Sequence, residues 1–151
     1  MSKEKGISIN FGLKSFQVES YNLDPPKKEI NLEKIDYNIQ FRTDADIEAE
    51  TLSIEFKITA QVGRKEALKL GSIQTLTIYK LSTIDPLIKD DGNIVVPEGL
   101  AISLLSIALS TTRGALAVKS EKNILSDVPL PLVDPKDLYK SSPLNKEIET
   151  K

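Results

Sequence analysis

The side chains that most often do chemistry are missing from this chain. It has neither histidine nor cysteine. Disulfides, thiolate metal sites, Ser-His-Asp triads and Cys-His pairs are therefore excluded. Acid–base work would fall to Asp, Glu, Lys, Ser or Tyr alone. Two acidic runs are candidates. Thr43 to Glu50, TDADIEAE, has the charge density of a calcium loop. It lacks the glycine and the terminal glutamate spacing of an EF-hand, and reads as an acidic turn. Asp85, Asp90 and Asp91 lie beside Pro86, Gly92 and Asn93, which is the composition of a solvated turn. No glycine-rich phosphate loop is present. These residues point away from an enzyme, from a metal and from a cofactor.

Composition narrows the class further. The length of 151 residues suits one domain. Hydrophobic residues make up 40 % and charged residues 28 %, so the chain is globular rather than disordered. A net charge of −2 without a basic concentration argues against nucleic acid. The opening MSKEKGISINFG has no apolar run of signal-peptide length, and the expected compartment is cytoplasmic.

Most of the chain ahead of residue 97 reads as strand. Ile7, Ile9, Phe11 and Leu13 alternate, then the phase moves to Phe16 and Val18. A one-residue shift near Lys14–Ser15 predicts a β-bulge. Leu23-Asp24-Pro25-Pro26 ends this strand. Ile35, Tyr37, Ile39 and Phe41 alternate next. Leu52 to Val62 is the third strand, and Gly63-Arg64-Lys65-Glu66 turns the chain. Ser72 to Leu81 is the fourth, with Ile73, Tyr79 and Leu81 on one face and Leu76 and Ile78 on the other. Neighbouring strands usually pair, so a four-stranded antiparallel meander is the simplest topology.

The strong helical signal begins at Pro97, placed near the first helical position. Leu100, Leu104, Ile107 and Thr111 form a stripe, as do Ala101, Leu105 and Ala108. Gly114 after Arg113 is a plausible stop. About 15 residues are too few to cross a bilayer, which needs about 20, so no membrane insertion is expected. The stripe must bury itself on a sheet, on a partner subunit, or on both. Ser103, Ser106 and Ser110 form a small-residue face suited, with Leu76 and Ile78, to an oligomer interface. Further on, Val128-Pro129-Leu130-Pro131-Leu132-Val133 alternates proline with aliphatics. It must be extended and must lie on something apolar, either as fixed packing or as a movable flap. Asp134 and Pro135 start a short helix as N-cap and first residue. The domain is expected over residues 1–140, with 141–151 a frayed polar tail.

Three pieces in fixed order resemble the SecB family of export chaperones. They are Asn93-Ile94-Val95-Val96-Pro97 before the helix, Thr112-Arg113-Gly114 at its end, and Pro131-Leu132-Val133-Asp134 followed by Asp137-Leu138-Tyr139. The resemblance implies an α+β fold, with a four-stranded antiparallel sheet, one long helix packed on it and a short C-terminal helix. It implies a dimer of dimers and unfolded polypeptide clients. It also implies a groove walled by Tyr21 and Leu23 on one side and by Leu125, Val128, Leu130 and Leu132 on the other, with Phe16 and Val18 as its floor. Plain core packing is the competing role for each of these residues. Docking to the SecA export ATPase belongs to the same family pattern, but the tail KSSPLNKEIETK does not match it. The expected function is an ATP-independent chaperone that binds unfolded polypeptides, as for preproteins held for export. The alternative is a dedicated chaperone for one fixed partner, such as an antitoxin.

Overall fold

Period-two alternation builds the sheet and one apolar helical stripe covers it. The computed structural model describes residues 9–24, 29–63, 68–142 and 148. The strands are β1 (Phe11–Leu23), β2 (Ile35–Asp46), β3 (Thr51–Val62) and β4 (Leu68–Leu81), followed by helices α1 (Glu98–Lys119) and α2 (Pro135–Lys140). The readings of Ile7, Pro25-Pro26, Arg64 to Glu66 and most of the tail fall outside the described residues.

All strand pairs are antiparallel, in the order β1-β4-β3-β2. The simple meander therefore needs correction. β2, β3 and β4 follow one another, but β1 pairs with β4 at the far edge. Residues 24–34 are too long a connection for a hairpin, which uses two to five residues. β2 also runs further than expected, to Asp46. Its acids belong to the alternation, with Asp44 and Asp46 exposed and Thr43 and Ala45 half-buried. The turn itself is confined to residues 47–50, where Glu50 takes a positive φ of 55°.

The bulge predicted near Lys14 is present as a register shift between Leu13 and Ser15. A second shift, between Val18 and Ser20, was not legible in the alternation. Together they keep Phe16, Val18, Tyr21 and Leu23 in register with Thr77, Thr75, Ile73 and Gly71, all on the face that α1 covers. Leu13, grouped with Phe11 by its spacing, is 55 % exposed.

The α1 boundaries differ from expectation. The helix has 22 residues and passes through Gly114 without stopping. Gly114 has no positive φ, and ALAVK after it consists of helix-compatible residues that carry the buried stripe on to Leu116. Pro97 is the N-cap residue, one position earlier than expected, and its carbonyl accepts from Ala101 N at 2.9 Å. At this length α1 is apolar and long enough to cross a bilayer, so length does not exclude that role. In the fold its stripe lies on the sheet. Ala101, Leu104, Leu105, Ala108, Leu109, Thr112 and Leu116 are buried, whereas Ile107 is exposed. They meet Ile54, Phe56 and Ile58 of β3 and Ile73, Tyr79 and Leu81 of β4. Two polar links cross this layer. Tyr79 Oη donates to the Leu104 carbonyl at 2.7 Å, and Thr75 Oγ1 lies 2.7 Å from Thr112 Oγ1.

Candidate functional site

Past α1 the chain cannot form regular structure. Asn123 caps a 3-10 turn, Ile124–Asp127, by accepting from Leu125 N. Pro129 and Pro131 then lack the N–H that a ladder would need. The resulting extended strap crosses the end of the sheet. Its polar fastenings are few. Tyr37 Oη of β2 donates to the Val128 carbonyl. An Arg113 terminal nitrogen donates to the Pro131 carbonyl at 3.1 Å. At the strap's start, Asn123 Nδ2 donates to Tyr21 Oη at 2.9 Å, and Ser120 Oγ lies 3.3 Å from the same oxygen.

Between the strap and the last turns of α1 is a groove of about 260 Å³. Arg113, Leu116, Ala117 and Glu121 form the helix wall, Leu125, Val128 and Leu130 the strap wall, and Tyr37 closes one side. The groove is mainly apolar. Burial pushes the Tyr37 phenol up to about 12, and Tyr21 adds to the effect. Arg113 Nε is buried without a hydrogen-bond partner.

The residues expected at a groove are distributed unevenly. Leu125, Val128 and Leu130 line it. Leu125 and Leu130 are also almost fully buried, so their inner faces are core. Tyr21 and Leu23 belong to β1 rather than to the loop after it. Leu23 joins Ile35, Leu70, Leu125 and Val128 in a small cluster of its own beneath the strap, while Tyr21 meets Ser120 and Asn123 at the strap's start. Val18 packs on the main core. Phe16 is half-buried, and neither it nor Val18 lines the groove. Leu132 points away, 89 % exposed. Tyr37, Arg113 and Leu116 line the groove and were not read as site residues. Tyr37 sat in the cleanest alternation of the chain, and Leu116 continues the α1 stripe one turn past Thr112.

On the outside of α1, Ser103 and Ser110 are exposed and Ser106 is half-buried. Ser103 Oγ donates to the Gly99 carbonyl of its own helix at 3.0 Å. Leu76 and Ile78 are half-buried on the uncovered face of the sheet. They adjoin an ion pair in which Arg42 meets Glu55 at 3.0 Å and Gln74 donates to Glu55 at 2.9 Å. Among the described residues no group of three or more acidic side chains is placed to hold a metal ion.

The four-stranded antiparallel sheet with one long helix and a short C-terminal helix resembles the fold of a SecB-like chaperone. The structure of the Mycobacterium tuberculosis SecB-like chaperone Rv1957, solved with a ChAD peptide from the HigA1 antitoxin, matches with a TM-score of 0.54 and 10 % sequence identity. The match covers 82 % of this chain and 90 % of that one. A protein of unknown function from Streptococcus agalactiae matches more loosely, with a TM-score of 0.39, 16 % identity, and coverage of 84 % and 98 %. No family model and no curated protein matches the sequence.

Proposed function

We propose that the protein is an ATP-independent chaperone that binds non-native polypeptide in the groove between the end of α1 and the strap. The observation that supports this most is the groove itself, walled by Leu116, Leu125, Val128 and Leu130 and bounded by Tyr37 of β2, an edge strand of the sheet. Apolar side chains can enter the groove while a free strand edge accepts backbone hydrogen bonds, a combination that tolerates many sequences. Clients would be held by several shallow contacts, so loss of one aliphatic wall residue should weaken binding by only ~1 kcal/mol when more than one groove engages. This reading keeps the protein in the cytoplasm, as a homo-oligomer, working without nucleotide or metal.

A second reading, one fixed partner, is favoured by a specific observation. The structural neighbour was solved with an antitoxin peptide. A dedicated client of that kind would use the same groove here. SecA docking draws no support from the tail and forms no part of the proposal.

Light scattering of the purified protein with a chemically unfolded, slowly refolding client tests the proposal. The expected result is suppressed aggregation without nucleotide, across unrelated clients. Suppression for one partner only would select the second reading. Unchanged aggregation of every client would sink both.

A further inference from the structure

We infer that the Ile94 backbone is a second polypeptide-binding site, closed in the resting protein by the chain's own Ile148. The site accepts an extended client segment with one aliphatic side chain between polar ones. The inference rests on the chaperone reading above and adds a further site for the same class of client.

Ahead of α1 the chain doubles back on itself, and Ile88 pairs with Ile94 in an antiparallel bridge. Gly92, with φ at 87°, lies in the turn between them. Lys89 N donates to the Asn93 carbonyl at 2.7 Å, and Val95 N to the Leu87 carbonyl at 2.9 Å. Those bonds use the groups on one side of residues 93–95. The Ile94 N–H and carbonyl face the other side, as alternate residues of an extended chain do. Ile94 is wholly buried, so this pair needs a partner. Ile148 supplies it. Ile94 N donates to the Ile148 carbonyl at 3.0 Å, and Ile148 N donates to the Ile94 carbonyl at 2.8 Å. The Ile148 side chain is 6 % exposed and belongs to the main core with Ile84, Leu87, Ile94 and Val96.

The occupant defines what the site takes. One donor, one acceptor and an apolar seat are what a strand edge offers when a peptide adds to it. Beyond one aliphatic side chain, these contacts read no particular sequence. Ile148 stands in Asn145-Lys146-Glu147-Ile148-Glu149-Thr150-Lys151, so a single aliphatic among polar neighbours suffices. With such neighbours in sequence, little apolar burial opposes its release, and opening a segment of this kind costs less than unfolding the sheet. Once Ile148 leaves, the Ile94 pair and the apolar seat become available together. A client strand entering there satisfies both. The covalent link makes Ile148 an intramolecular competitor, which an extended segment of the right pattern displaces.

The test uses fluorescence anisotropy of a labelled peptide with the sequence NKEIETK, added to the full chain. Ile148→Asp removes the resident side chain. The peptide is expected to bind that variant at least about tenfold more tightly than the native chain, where the linked competitor acts at an effective concentration on the order of millimolar. A control peptide with Asp in place of Ile should bind neither protein. Equal affinity for the two proteins, or no binding to folded Ile148→Asp, would overturn the inference. Amide hydrogen exchange on the native chain decides the matter if the variant does not fold. The Ile94 N–H is expected to exchange faster than those of Ile54 and Phe56 in β3. Equal protection would make Ile148 a permanent part of the core and overturn the inference. A native mass that halves in Ile148→Asp would give the site to the tail of a second copy instead of a client. Suppressed client aggregation without peptide capture would remove this site and leave the chaperone reading standing. Capture without suppression would keep the strand-accepting site and remove the client role.

Discussion

Thr77 is wholly buried, and its hydroxyl has no partner. Thr75, two residues earlier, solves the same problem by meeting Thr112. An unpartnered buried hydroxyl costs about 1–3 kcal/mol. Thr77→Val removes the hydroxyl at nearly constant shape, and should raise the denaturation midpoint by an equivalent of about 1 kcal/mol. Tyr37 and Tyr79 govern the alkaline limit. Burial raises both phenols above their ordinary value of 10, Tyr37 to about 12. A phenol held protonated in the fold gives its full stabilisation below pH 10, and loses it as pH rises through the folded value. Unfolding midpoints from pH 8 to 12 should therefore fall above pH 10, and less steeply in Tyr37→Phe. Tyr79 was legible as sharing a face with Ile73 and Leu81 because it alternates with them. Thr75 and Thr77 were not, because threonine is as common on a solvated face as on a buried one.

At the scale of elements, Gly114 and Gly71 make opposite predictions. Gly114 lies inside α1 with open space where a Cβ would project. Gly114→Ala should stabilise by about 0.5–1 kcal/mol, read from a thermal or denaturant midpoint. Gly71 lies where β1 presses on β4, and a Cβ there would stand 2.6 Å from the Asn22 carbonyl oxygen. Gly71→Ala should cost about 1–3 kcal/mol by forcing the two strands apart. The strands themselves were legible, since alternation marks them whatever their order. Their partners were not, because nothing local in β1 says that its neighbour is β4. The length of α1 was misread for a related reason. Glycine signals a stop only when it takes the left-handed conformation, and composition does not reveal that angle. The groove was half legible. The strap leucines stood out by alternating with proline, but Arg113 and Tyr37 join them only once α1 is extended and β2 is placed under the strap.

For the molecule as a whole, two surfaces among the described residues are candidates for self-association. The uncovered sheet face offers Leu76 and Ile78, and the outer face of α1 offers Ser103, Ser106 and Ser110. We propose that both are used in a dimer of dimers. If so, Leu76→Glu should halve the mass measured by light scattering, while an unchanged mass would remove that face from the assembly.

The placement of β1 also sets a schedule for the protein's own birth. Phe11 pairs with Leu81, seventy residues downstream, and the intervening strands pair with each other first in sequence. A ribosome adding 5–20 residues per second needs roughly 4–14 s to cover that interval. Until then β1 leaves the exit tunnel with Phe16, Val18 and Tyr21 uncovered and no strand to join. For those seconds the nascent chain displays an extended apolar segment, the same kind of object that the finished groove is proposed to hold.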